Sequence, residues 1–113
     1  MKILVCEDNV VLALDLQDQV QEAGHECLGF VTRASACMEF VARSRPDIVL
    51  VDLTLADGRT GPALIEQLNE TGIRSIVISG ELSFLPPDHS AAAVLAKPLK
   101  SGDLQDTLRQ LDV

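Results

Sequence analysis

Residues able to do chemistry stand directly after the apolar runs of this chain. Glu7 and Asp8 follow "KILVC", Asp52 ends "DIVLVD", Ser79 and Gly80 end "IRSIVISG", and Lys97 and Pro98 follow "AAAVLA". A single acid after a strand is usually a helix cap or a solvated turn. Three acids, a hydroxyl and an amine at successive strand ends mean more, because an open parallel sheet gathers those ends at one edge. Three carboxylates held within ~4–5 Å repel by a few kcal/mol per pair at an effective dielectric near ~20. A divalent cation relieves that repulsion, and an all-oxygen set with room for water suits Mg²⁺. Such a cation shares its charge with a further anion, typically a phosphoryl group, to which Lys97 offers a positive charge and Ser79 a hydrogen bond. A carboxylate in that cage is itself a nucleophile and forms an aspartyl phosphate. Asp52, at the end of the most apolar run, is the central one.

For these residues to meet, strands and helices must alternate. "KILVC" (2–6) is short and continuously apolar, as in a strand covered on both faces. Asn9 to Ala23 has helical spacing, with Leu12, Leu16, Val20 and Ala23 on one stripe and Gly24 as the stop. Strands follow at 27–31, 47–53, 73–80 and 91–96; helices are expected over 33–44, over 62–70 with Pro62 at its favoured first position, and at the end of the chain, capped by Ser101 or Asp103. Between the fourth and fifth strands, Pro86 and Pro87 interrupt the available span, and a helix through them would cost on the order of 3 kcal/mol. A loop or one short turn is expected there, with Gly80 and Glu81 drawn in with Ser79 when a phosphoryl group binds. Five strands alternating with helices imply a parallel sheet with right-handed crossovers and helices on both faces.

Composition narrows the function. The 113 residues suffice for one domain over 1–113, and 47% apolar content supports a real core. The chain ends as its last helix ends, so no effector domain is expected. No apolar run approaches the ~20 residues of a membrane span and no basic-then-apolar leader opens the chain, so a cytoplasmic protein is expected. A net charge of −8, with 9 scattered Lys and Arg, argues against direct contact with nucleic acid. Cys6, Cys27 and Cys37 lack CxxC spacing and read as small buried hydrophobes; His25 and His89 read as solvated.

The whole chain resembles a two-component response-regulator receiver domain, with "CEDN", "VDLTLADG", "ISG" and "AKP" at the family's four landmarks and in its order. The resemblance implies a flavodoxin-like, CheY-like doubly wound five-stranded sheet in the order 2-1-3-4-5, here with a shortened or absent fourth helix. It implies that Asp52 accepts phosphate from a histidine kinase or phosphotransfer protein, and that Asp8, Asp52 and the backbone carbonyl of Thr54 hold Mg²⁺ while Glu7 acts through water. Ser79 and Lys97 would contact the phosphoryl group, with Lys97–Pro98 a cis peptide. The output would be a protein target, reached by a monomer or weak dimer. "ALDL", "EAGHE" and "RPDIVLVDL" further resemble the stand-alone receivers of the FATGUY group, although "RSIVISGE" lacks that group's two Phe residues and its Tyr. Ala56 stands where receivers usually carry Pro, and Val94 where many carry a switch Tyr or Phe.

Two rivals share these features: a receiver-like binding module that is never phosphorylated, and a Mg²⁺-dependent phosphohydrolase of the haloacid-dehalogenase kind. The second wants another Asp two residues after the nucleophile, where Thr54 stands. In the receiver reading the domain is no enzyme beyond catalysing its own phosphorylation and slow dephosphorylation. Val10, Val11 and Leu14 exceed what a core stripe on the first helix needs and mark a kinase-docking surface. Removing the charge of Asp8 or of Asp52 is expected to stabilise the metal-free protein.

Overall fold

The computed structural model describes residues 1–112; Val113 lies outside them. Strands β1 (Lys2–Cys6), β2 (Glu26–Val31), β3 (Ile48–Val51), β4 (Arg74–Ser79) and β5 (Ala93–Ala96) alternate with helices α1 (Val10–Glu22), α2 (Ala34–Ser44) and α3 (Gly61–Glu70), and α4 (Asp103–Leu111) follows β5. The strands form one sheet in the order β2-β1-β3-β4-β5, every pair parallel. This is the flavodoxin-like arrangement, whose strand order reverses beside β1 and opens a crevice at the carboxyl edge.

Alternation along the strands divides the core in two. Leu4, Cys6, Val49, Val51 and Val77 face α2 and α3, where Cys37, Val41, Leu64, Ile65 and Leu68 meet them. Ile3, Val5, Ile48, Leu50, Ile76 and Ile78 face α1 and α4, against Ala13, Leu16, Val20, Leu104 and Leu108. Both sides of β1 and β3 are therefore apolar, which is why those strands read as unbroken runs. Among the described residues no helix is long and apolar enough to cross a membrane.

The connection between β4 and β5 holds only a 3₁₀ turn at Leu82–Phe84. Leu85 is extended (φ −82°, ψ 119°), as a residue before proline tends to be, and the next residue is itself followed by Pro87. With no helix here, β5 is covered on one side only. Ala93 and Leu95 pack toward α1 and α4, whereas Val94 is 36% exposed.

Several local expectations change. The buried stripe of α1 is Ala13, Leu16 and Val20, while Leu12 is 37% exposed: the stripe begins one residue later, so Leu12 swings to its rim. Asn9 does cap this helix, its Oδ1 accepting from the Leu12 N–H at 3.2 Å. Neither Ser101 nor Asp103 caps α4. Gly102 takes that place in a left-handed conformation (φ +89°), and Asp103 Oδ2 instead accepts the Lys100 N–H at 3.0 Å. β5 begins at Ala93 rather than Ala91. Cys6 and Cys37 are buried, but Cys27 on edge strand β2 is only partly so. The histidines are half-buried and bonded rather than solvated. His25 Nδ1 lies 3.0 Å from the Met1 amine, and His89 Nδ1 accepts the Ala91 N–H at 3.1 Å.

Candidate functional site

Sheet pairing runs one step past the strands at the carboxyl edge. The Asp52 N–H donates to Cys6 O at 3.1 Å, and the Lys97 N–H donates to Ser79 O at 3.0 Å. These two bonds set Asp52 beside the end of β1 and Lys97 beside the end of β4. Carboxylate oxygens of Glu7, Asp8 and Asp52 lie within 4.8 Å of one another. Glu7 is 2% exposed, Asp52 is partly buried, and Asp8 is exposed.

Lys97 joins two of the three acids. Its Nζ donates to Glu7 Oε1 at 2.6 Å and to Asp52 Oδ2 at 2.8 Å. The other oxygens are held by backbone: Glu7 Oε2 accepts the Asn9 N–H at 3.1 Å, and Asp52 Oδ1 accepts the Leu53 N–H at 2.7 Å. Burial raises the Glu7 carboxyl above the ordinary carboxylate range, against the opposing pull of Lys97 and the Asn9 N–H. For Lys97, burial acts to lower the pKa, but hydrogen bonds to Asp52 and Glu7 outweigh it and leave the amine raised. The site thus carries its own cation at Asp52 Oδ2. Neutralising Asp52 removes an ion pair as well as a repulsion, so stabilisation is now expected from Asp8→Asn and not from Asp52→Asn.

Ser79 is buried, and its Oγ accepts the Glu81 N–H at 3.1 Å, so the start of the β4–β5 connection hangs on this hydroxyl. A Cβ on Gly80 would stand 3.9 Å from Lys97 Cβ, ordinary contact. Thr54 Oγ1 is buried with no hydrogen-bond partner among the described residues. The three clustered carboxylates offer oxygen donors only. The oxygen-only donor set therefore fits Mg²⁺. The Lys97–Pro98 peptide is cis.

Sequence reasoning missed the residues that brace Asp52. Asp57 reaches from the β3–α3 connection to the start of α2, where its carboxylate accepts the N–H groups of Ala34 at 3.1 Å and Ser35 at 3.4 Å, and the Thr60 hydroxyl at 2.7 Å. These bonds, that of Thr60 foremost, hold its carboxyl below the usual range. The signal was present: Arg33 stands at the N-cap of α2 and its side chain cannot accept a hydrogen bond, so the orphan donors need an acceptor from elsewhere. Gly61 is the second brace. A Cβ there would lie 2.4 Å from Asp52 O and 2.5 Å from Leu53 Cα, so α3 starts directly on the peptide of Asp52.

A groove of about 420 Å³ adjoins the site, lined by Leu12, Asp15, Leu16, Gln19, Ile78, Lys97, Pro98 and Leu99. On α1 next to it, Val10 is 50%, Val11 76% and Leu14 49% exposed.

The phyllosphere-induced regulator PhyR of Methylorubrum extorquens is 32% identical over 71 residues, 62% of this chain and 27% of that protein. The transcriptional regulatory protein PdtaR of Mycobacterium tuberculosis is 26% identical over 108 residues, 91% of this chain and 52% of that protein. The chain thus spans between about a quarter and a half of the curated relatives named here. The solution structure of the Erythrobacter litoralis PhyR receiver domain aligns with a TM-score of 0.85 at 27% identity, covering 96% of this chain and 87% of that one. A CheY-like receiver domain from Methylobacillus flagellatus, at 22% identity, shares the fold with a TM-score of 0.87 over 98% of each chain. The family model for the response regulator receiver domain matches residues 3–109, and the chain belongs to that family.

Proposed function

We propose that this receiver domain takes a phosphoryl group from a phosphohistidine donor, a histidine kinase or phosphotransfer protein, onto Asp52 and signals by protein contact. The observation that supports it most is Lys97, whose ammonium lies at hydrogen-bond distance from both the Asp52 and Glu7 carboxylates at the sheet edge. A carboxylate oxygen of Asp52 forms the new bond to phosphorus as the donor's phosphorus–nitrogen bond breaks, and the electron pair of the broken bond stays with the donor imidazole. Lys97, already beside Asp52 Oδ2, follows the charge onto the phosphoryl oxygens. Ser79 turns its hydroxyl to the same oxygens and draws Gly80 and Glu81 with it. Asp8, Asp52 and the Thr54 carbonyl would hold Mg²⁺, with Glu7 acting through water. Bound there, the metal neutralises the charge of acceptor and phosphoryl group together.

The donor docks on α1. Exposed Val10, Val11 and Leu14 share this helix with Leu12 and Leu16, which line the groove that reaches Lys97. An apolar surface leading to the acceptor serves a protein donor better than a small phosphoester. The names of the relatives, a phyllosphere-induced regulator and a transcriptional regulatory protein, accord with signalling rather than turnover of a substrate.

The test is intact-mass analysis after incubation with acetyl phosphate and Mg²⁺. One phosphoryl adduct, absent in Asp52→Asn, is the expected result. No adduct would favour a receiver-like binding module, and rapid turnover of free phosphoesters a phosphohydrolase. Val11→Glu is expected to slow transfer from a cognate kinase while leaving acetyl-phosphate labelling intact. Equal loss of both rates would remove α1 as the docking surface.

A further inference from the structure

A side chain of the Asp52 connection stacks on one of the β4–β5 connection. Arg59 Cζ lies 3.7 Å from the centroid of the Phe84 ring. Arg59 stands in the 52–61 segment, and Phe84 in the 3₁₀ turn that follows Ser79. Among the described residues no carboxylate pairs with Arg59, so stacking is the one specific contact seen for its guanidinium. A planar guanidinium over a ring face is favourable in itself. Phe84 also packs its half-buried ring against the core on the α2 and α3 side, so the turn is held between core and cation. Its other end is fastened separately: the Ser90 N–H and hydroxyl donate to Glu66 at 3.0 and 2.6 Å.

We propose that the Arg59–Phe84 stack is a latch through which the Asp52 connection and the β4–β5 connection move together. The proposal rests on the phosphoacceptor reading of Asp52. A phosphoryl group would act on both roots of the latch. At Ser79 it reaches Glu81, whose N–H is bonded to the Ser79 hydroxyl; at Asp52 it reaches the loop that carries Arg59. The turn between them then reports the state of the acceptor without an aromatic residue at the position of Val94.

Two amides read the latch directly: Phe84 N–H, which donates to Glu81 O at 3.1 Å, and Leu85 N–H, which donates to Leu82 O at 3.0 Å. Hydrogen exchange at these amides is to be followed by NMR in wild type, Arg59→Gln, Phe84→Leu and the double variant, with and without beryllofluoride and Mg²⁺. An exposed stack of this kind corresponds to a roughly two- to five-fold change, so Arg59→Gln is expected to speed exchange at both amides by that factor. The double variant is expected to exchange no faster than Phe84→Leu alone. With beryllofluoride, the change in wild type reaches 84 and 85, whereas in Arg59→Gln it stops at Glu81. Wild-type exchange in Arg59→Gln, or additive effects in the double variant, would overturn the latch. Acetyl-phosphate labelling separates the two failures. An unlabelled Asp52 sinks the phosphoacceptor reading and the coupling with it, while normal labelling with wild-type exchange in Arg59→Gln sinks the latch alone.

Discussion

The connections after β3 and after β4 both start at the carboxyl edge, yet they are held by different means. Residues 52–61 are fixed largely by backbone. Leu55 and Gly58 exchange N–H···O bonds at 2.8 and 2.9 Å, Ala56 N–H donates to Thr32 O at 2.8 Å, and Gly61 N–H to Leu53 O at 3.1 Å. Leu53 and Leu55 are buried beneath them. Residues 80–91 have local turn bonds, two prolines and at most partly buried side chains, with Leu82, Phe84, Leu85 and Ala91 resting on the core and Arg59 and Glu66 as the surface ties. A loop held by backbone pairing and buried leucines opens only with the core, whereas one held by surface side chains opens by itself at modest cost. In the phosphoacceptor reading, Asp52 sits on the stiff connection and the segment proposed to respond is the soft one.

Gly61→Ala attacks the stiff side hardest. The added carbon meets backbone atoms, which cannot rotate away, so a loss of about 3 kcal/mol is expected from urea unfolding. Leu85→Ala, the matching cut on the soft side, removes a side chain only partly packed on the core and is expected to cost about 1 kcal/mol. Equal losses at the two sites would erase the contrast between the connections. Asp8→Asn comes next: without Mg²⁺ it is expected to stabilise by somewhat under about 1 kcal/mol, since exposure screens the repulsion, and the gain is expected to shrink when Mg²⁺ is added. Destabilisation without metal would make Asp8 structural.

The smallest effect concerns pH. The folded-state pKa of Asp57 lies below its unfolded value, so its bonds to α2 and Thr60 stabilise the fold above pH ~4 and are lost as pH falls through the depressed value. The stability difference between wild type and Asp57→Asn is therefore expected near neutrality and to vanish in acid. A difference independent of pH would mean that the carboxylate charge is not what braces the loop.

The fold was legible because β1 and β3 are apolar on both faces and the helices between them carry clear stripes and stops, such as Gly24. The lack of an α-helix between β4 and β5 was legible from Pro86 and Pro87 alone. The edge that gathers Glu7, Asp52, Ser79 and Lys97 followed from parallel-sheet geometry, which needs only the strand ends. What stayed hidden depends on distances between elements far apart in the chain. That Lys97 pairs with both Glu7 and Asp52, that Asp57 caps a helix it does not belong to, and that Arg59 meets Phe84 are all facts of tertiary approach. Leu12 was misplaced because apolar residues on both sides of α1 left the start of the stripe ambiguous, whereas Leu16, Val20 and Ala23 pack as expected.

The central claim is that Glu7, Asp8 and Asp52 are gathered to hold a divalent cation beside the acceptor. Titrating Mg²⁺ while following backbone amide shifts tests this most directly, without requiring any phosphoryl transfer. Weak, saturable shifts at residues 7–9, 52–55 and 79–81 are expected, greatly reduced in Asp8→Asn. Shifts confined to other parts of the surface, or an unchanged response in Asp8→Asn, would contradict it.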